Sequence, residues 1–156
     1  MNDPNRIKID DQAPDFTLTD NRNNHVHLLE LQGKKVLLSW HPLAWTSVCA
    51  EQMKALENKF TEFNNLSTVP FGLSVDAVPS KNAWAKDLGI AKVALLADFW
   101  PHGETAQKYG LFRGKEGFSE RANVILDETG KVIWIKVYEI HQLPDINEVI
   151  DFLGRR

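Results

Sequence analysis

VLLSWHPLAWTSVC, residues 36 to 49, joins an apolar run to the one cysteine of the chain. Val36 to Trp40 is a short apolar segment of the kind that fills a central strand covered on both faces. It stops at Pro42, passes Thr46 and delivers Cys49 to the start of a helical pattern. Over CAEQMKALENKFTEF the apolar residues fall at Met53, Leu56, Phe60 and Phe63, one stripe of a helix. A strand that feeds a helix through a proline-containing loop is the start of an α/β unit.

The flanking segments extend that unit. Upstream, DFTLTD (Asp15 to Asp20) alternates like a half-buried strand, NRNN is a polar turn and HVHLLEL leads to Gly33, which makes an amino-terminal hairpin. Downstream, VPFGLSV (Val69 to Val75) reads as the next buried strand, and Ser80 is placed to cap a helix through KNAWAKDL to Gly89. VALLAD is a short strand and HGETAQKYG a short helix closed by Gly110. NVILD and VIWIKV, separated by ETG with Gly130 in the turn, form an antiparallel hairpin. PDINEVIDFL opens with a proline at a helix start and carries Ile146, Val149, Ile150 and Leu153 on one stripe. The order predicts a mixed central sheet with helices on both faces. Neither a repeat, a low-complexity tract nor a linker interrupts it, so residues 1 to 156 are expected to form one domain.

Bulk composition narrows the function. Hydrophobic residues make up 43% and charged residues 25%, ordinary for a globular chain, and a net charge of -3 argues against nucleic acid or an anionic membrane as partner. A single cysteine cannot form an internal disulfide, so the fold does not depend on an oxidising compartment. With neither a bilayer-length apolar run nor a signal-peptide pattern in MNDPNRIKID, a cytoplasmic location is expected.

A lone cysteine is most often a small buried hydrophobe. The position of Cys49 points further. Ligands of open α/β sheets gather beyond the carboxyl ends of the strands, and in the first turn of a helix free N–H groups and the helix dipole favour an anion, here the thiolate. That alone is not sufficient. Bringing a thiol from an ordinary pKa of about 8.5 to about 6 takes roughly 3.4 kcal/mol, whereas a helix end supplies about 0.3–1 and at best about 2. A cation is needed. Of the candidates Arg113 and Arg121, Arg121 adjoins NVILD and is held by the sheet. Nor does ionisation explain a fast reaction, because a lower pKa also lowers intrinsic nucleophilicity. The site must also hold an electrophile and stabilise its leaving atom. Thr46 offers a hydroxyl for this, or serves as a plain helix cap; Pro42 removes a backbone donor and can shield the sulfur, or simply ends the strand.

HPLAWTSVC resembles the peroxiredoxin signature, in which a proline, three residues, a threonine or serine and two residues precede the peroxidatic cysteine. DQAPDFTL, GLSVDAVPSKNAWAKDLGI, LLADFWPHGETAQKYGLF and ERANVILDETGKVIW also look like family segments, in the family's order. The resemblance implies a thioredoxin-like fold and reduction of hydrogen peroxide or organic hydroperoxides through a cysteine sulfenic acid. By the same resemblance Cys49 is the nucleophile. Thr46 bonds the sulfur and the peroxide, Pro42 shields the thiolate, and Arg121 binds the thiolate and orients the peroxide. His41, Val48 and Gln52 are read as substrate-side residues. His41 matches the histidine of one-cysteine members, whereas Gln52 stands where many members have glutamate and Trp45 where phenylalanine is commoner. Trp84 and Trp100 are read as core residues or as lining of the site.

Without a second cysteine the chain resembles a one-cysteine member, whose reductant is an external thiol, either a thioredoxin-like protein or a low-molecular-weight thiol. No cofactor is implied, and a homodimer or higher homo-oligomer is expected. Other readings carry less. A thiol–disulfide oxidoreductase would have Cys-x-x-Cys, and here Gln52 takes the second place. A non-enzymatic redox sensor or chaperone-like protein on the same fold is the alternative, separated by measured peroxide turnover. His25 and His27 share a strand face but lack a third ligand at recognisable spacing, so they read as surface residues and no metal is expected.

Overall fold

The computed structural model describes residues 3 to 156. In chain order its strands are β1 (Thr17–Asp20), β2 (His25–His27), β3 (Lys35–Trp40), β4 (Thr68–Ser74), β5 (Ala94–Ala97), β6 (Phe112–Arg113), β7 (Phe118–Ser119), β8 (Arg121–Leu126) and β9 (Val132–Tyr138). The helices are α1 (Ser47–Asn58), α2 (Phe60–Asn65), α3 (Val78–Leu88), α4 (Glu104–Lys108) and α5 (Ile146–Gly154), with one 3-10 turn at Leu28–Leu31. Seven strands form one sheet in the order β2-β1-β5-β4-β3-β8-β9. β3, β4 and β5 are parallel, while β1, β2, β8 and β9 join antiparallel. This is the mixed, thioredoxin-like α/β sheet that the sequence implied. The amino-terminal hairpin is built into it through Thr19↔Ala97 and Asp20↔Leu96.

The period of two along the central strands sorts the core. Val36, Leu38 and Trp40 of β3 pack with Leu73, Leu96, Ala122 and Val124, and with Ala106 and Tyr109 in and after α4. Leu37 faces the other way and packs with Cys49, Met53 and Leu56 of α1, Trp84 and Ala85 of α3, and Val149 and Leu153 of α5. Strands covered on both sides read as unbroken apolar runs, which is why VLLSW shows no alternation. Because Ile125 shares the α1 face, Arg121 and Asn123 of the same strand also point toward it. The sheet itself thus aims Arg121 at Cys49.

Several boundaries differ from the sequence reading. The long helical stripe is two helices, separated at Lys59, whose N–H reaches back to the carbonyls of both Ala55 and Leu56 at 3.2 Å. α1 starts at Ser47, two residues before Cys49. Ser80 does not cap α3: that helix opens behind Ala77 with proline in its first turn, where a missing N–H costs nothing. Its end at Gly89, with φ +73, is the expected left-handed stop. At α5 the cap is Asp145, whose carboxylate accepts from the Asn147 N–H at 2.9 Å, and Pro144 lies just outside. The β6–β7 hairpin has no counterpart in the sequence pattern, because two-residue strands leave too little periodicity to read. Among the described residues no helix is long and apolar enough to cross a membrane.

One glycine of the central sheet is required by close packing. A methyl group on Gly72 of β4 would strike Met53 Sδ and approach Leu95 Cδ2 to 2.9 Å and His41 Cε1 to 3.3 Å. All three side chains are fully buried. Gly72→Ala is therefore expected to lower stability by about 1–3 kcal/mol through overpacking, read as a lower guanidinium midpoint at unchanged slope.

Candidate active site

The loop between β3 and α1 is held from three sides. The His41 N–H donates to Leu73 O at 3.0 Å, carrying the β3–β4 pairing one residue past the strand. The Ala44 N–H donates to Asp76 Oδ2 at 2.8 Å, and the Thr46 hydroxyl donates to Leu43 O at 2.8 Å. These bonds hold Trp45 in the left-handed region at φ +66, a conformation that costs an L-residue roughly 1–2 kcal/mol. Its indole N–H adds a bond to Ser80 Oγ at 3.1 Å. Pro42 is buried in the loop.

From this loop α1 begins. The first intrahelical bond runs from the Ala50 N–H to Thr46 O at 2.9 Å, so the N–H groups of Ser47, Val48 and Cys49 have no acceptor within the helix. Cys49 is 1% exposed. Arg121 Nη1 donates to its Sγ at 3.3 Å and to Gln52 Oε1 at 2.8 Å, while Arg121 Nε donates to Ile140 O at 2.8 Å. A guanidinium that is 3% exposed and fixed at three acceptors is a rigid donor, with little entropy to lose when charge develops on sulfur.

Gln52 shows why that cation stays directed at sulfur. Arginine only donates, so the amide oxygen must face it, and the NH2 then donates to Ser39 Oγ at 2.8 Å and Trp40 O at 3.1 Å. A carboxylate here would face the Trp40 carbonyl oxygen-to-oxygen. It would also neutralise the guanidinium; the amide leaves the full charge for sulfur. Glutamine in place of the commoner glutamate thus keeps the hydrogen bond and drops the competing anion.

The sequence candidates separate into two groups. Cys49, Arg121, Pro42, Thr46 and Val48 come together at the head of α1, with Val48 half-buried and Thr46 exposed. The Thr46 hydroxyl bonds Leu43 O and makes no hydrogen bond to Sγ. Gln52 and His41 lie inside the protein. Every polar atom of Gln52 is engaged inside the protein, so none is left for a substrate. His41 is 0% exposed, and its ring lies against Trp84 at 5.4 Å. Burial, followed by the Lys81 and Arg121 charges, holds His41 well below the usual imidazole range, so it is neutral. Arg113 turns away to Glu116 and Glu120 at 3.0 and 3.1 Å. Trp84 is a core residue, whereas Trp100 is 81% exposed. His27 pairs with Asp15 at 2.8 Å, and no group of three metal-binding side chains occurs among the described residues.

Three residues escaped the sequence reading. Asp76 anchors the loop, and its signal was a carboxylate directly after a buried strand. Ser39 supports Gln52; it was the one polar residue of VLLSW. Lys81 is 0% exposed, and it sits on the α3 stripe with Trp84 and Ala85 at helical spacing.

Comparison with known proteins identifies the family. Residues 9–135 match the AhpC/TSA family model. Alkyl hydroperoxide reductase E of Mycobacterium tuberculosis is 33% identical over 140 residues, spanning 89% of this chain and 91% of that protein. A peroxiredoxin of Thermoplasma volcanium is 32% identical over 149 residues, 92% of this chain and 72% of its own. In structure, the reduced 2-Cys peroxiredoxin of Plasmodium vivax superposes with a TM-score of 0.85 at 25% identity, covering 95% of this chain and 81% of that one. Enterococcus faecalis AhpC gives 0.87 at 20% identity, covering 99% and 92%. With a lone cysteine at the head of α1 under a buried arginine, and a family match over most of its length, the chain belongs to the AhpC/TSA family of peroxiredoxins, as a one-cysteine member.

Proposed function

We propose that this chain is a thiol-dependent peroxidase in which Cys49 reduces hydrogen peroxide or an organic hydroperoxide and an external thiol restores it. The observation that carries the reading is the 3.3 Å approach of a buried, triply fixed guanidinium to Sγ at the open end of a helix. The Cys49 thiolate attacks the terminal peroxide oxygen, the O–O bond breaks, and the departing alkoxide or hydroxide takes a proton to leave as alcohol or water. Sulfur, oxidised by two electrons, is then a sulfenic acid. One thiol condenses with it to a mixed disulfide, releasing water, and a second thiol exchanges to free Cys49.

In this reading the Ser47, Val48 and Cys49 N–H groups and Arg121 stabilise charge as it moves from sulfur to the leaving oxygen. Thr46, whose donated proton is taken by Leu43 O, offers its oxygen to the peroxide O–H. Pro42 excludes water, and Val48 lines the approach. The whole chain, residues 1 to 156, acts as one thioredoxin-like domain. Its reductant is a thioredoxin-like protein or a small thiol, in keeping with a cytoplasmic setting where thiols stay reduced. A homodimer or higher homo-oligomer belongs to the same reading. Leu43, Trp45, Phe99 and Trp100, exposed by 37 to 81% in the loops after β3 and β5, are the apolar surface for it.

Arg121→Met is expected to slow alkylation of Cys49 at neutral pH and to lower kcat/KM for hydrogen peroxide by about 10²–10³-fold, the loss typical of one preorganised donor. Arg113→Met serves as the control and should leave both unchanged. For Thr46, serine should retain most of the peroxide rate and valine should lose it, with alkylation changed only a few-fold in either; equal rates for valine and serine would reduce the threonine to a structural cap.

Stoichiometric oxidation tests the missing resolving thiol. After one equivalent of peroxide and no reductant, intact mass should show a monomer heavier by one oxygen, and Cys49→Ser should show no gain and no peroxide consumption. Excess peroxide should add further oxygens, and thiol added before that stage should restore turnover. A quantitative disulfide-linked dimer would contradict the buried position of Cys49.

A further inference from the structure

α3 carries Lys81 into the protein with 0% exposure, and among the described residues its Nζ has no hydrogen-bond partner. Removing an ammonium from water costs several kcal/mol unless a partner offsets it, so a buried lysine without one calls for a reason. The titratable and charged groups around it come from each element packed against α3 at this end of the sheet. They are Asp76 beyond β4, Cys49 in the first turn of α1, Asp98 beyond β5 and neutral His41 beyond β3. The residues beside Lys81 on α3 hold it against the cysteine loop: Ser80 Oγ accepts from the Trp45 indole N–H at 3.1 Å, and the Trp84 ring lies 5.4 Å from that of His41. Burial lowers Lys81 to about 8, against the attraction of Asp76, Cys49 and Asp98.

Both carboxylates are already employed elsewhere. Asp76 Oδ2 accepts from the Ala44 N–H at 2.8 Å and from the Ser74 hydroxyl. Asp98 accepts from the Thr105 and Ala106 N–H groups at 3.0 and 2.9 Å. Neither hydrogen-bonds Nζ. His41 has no hydrogen bond at either ring nitrogen; the Ser39 carbonyl favours its protonated form but lies outside bonding geometry. Of the groups around Lys81, Cys49 is the one that must gain and lose negative charge in every turnover.

We propose that Lys81 is a positioning residue of the Cys49 site, a second buried cation that favours the anionic sulfur from the α3 side while Arg121 grips it from β8. The inference rests on reading Cys49 as the reacting thiol. Arg121 serves Sγ and Gln52 Oε1 from one terminal nitrogen, and Gln52 brings no charge, so among the partners of Arg121 sulfur is the one that can become an anion, and it also lies within the attraction of Lys81. Unlike Arg121, Lys81 loses its charge in mild alkali. Its contribution is present below about pH 8 and fades as the pH rises through that value.

Lys81→Met keeps the apolar stem and removes the charge. At pH 6.5 it should slow both alkylation of Cys49 and the peroxide reaction about threefold, because a smaller anionic fraction is partly offset by the higher nucleophilicity of the less acidic sulfur. The parent-to-variant ratio should approach one by pH 9.5, where the parent's lysine is also neutral. The melting temperature should not fall at neutral pH, because an unpaired buried charge has been removed. Superimposed alkylation curves, or a ratio that does not change with pH, would overturn the proposal and leave Lys81 a packing residue.

A second measurement does not depend on that variant folding. Coupling between two charges is reciprocal, so lysine-selective NMR should find Lys81 titrating at lower pH in Cys49→Ser than in the parent. An identical titration would count against the proposal. Neither the alkylation nor the NMR arm uses peroxide. A parent that fails to turn over peroxide yet shows the coupling would sink the proposed function while sparing Lys81.

Discussion

Everything at this site depends on keeping a guanidinium dry and pointed at sulfur. Arg121 is almost without solvent contact, and a buried cation is tolerated only when its donors are engaged. Ile140 O engages Nε, and Gln52 Oε1 and Cys49 Sγ engage Nη1. The first fixes the arginine to the chain after β9, the second to α1 and the third to the cysteine sulfur. Moving α1 relative to β8 would break two of these bonds together. Packing of Met53 and Leu56 against Leu37 and Ile125 is therefore part of the chemistry as well as of stability.

The loop ahead of α1 shows the same economy. A left-handed Trp45 would not persist alone, and it is held by Asp76 from β4, Leu43 O within the loop and Ser80 from α3. The strain lies two residues ahead of α1, whose first turn presents three free N–H groups. A relaxed loop would let that turn fray, and a frayed turn neither stabilises an anion nor fixes the direction of attack.

Two cations of different kinds suit an atom that alternates between anion and neutral. Arg121 keeps its charge at any physiological pH and gives direction through hydrogen bonds. Lys81 makes no such bond and acts through the low-dielectric interior, where an unscreened charge carries further than at the surface. A helix end supplies an anion at best about 2 kcal/mol, so buried cations add to what the first turn of α1 offers the sulfur.

Much of this was legible in the chain itself. Apolar runs at Val36–Trp40 and Val69–Val75, the stripe through Met53 and Leu56, and the turn at Gly130 each depend on near neighbours, and they predicted the strand, helix and hairpin order. Cys49 and Arg121 stood out because one lay at a strand-to-helix junction and the other opened a strand. The remainder arises between segments distant in sequence. Asp76 reaches 32 residues back to the loop, and Arg121 meets Gln52 across 69. Burial of Gln52, His41 and Lys81 likewise follows from how helices cover a sheet, and nothing in their local sequence marks it. The sequence by itself determined which local structures form and where a reactive thiol belongs. Only the tertiary structure decided what surrounds that thiol, because desolvation and hydrogen-bond pairing depend on contacts that no local pattern encodes.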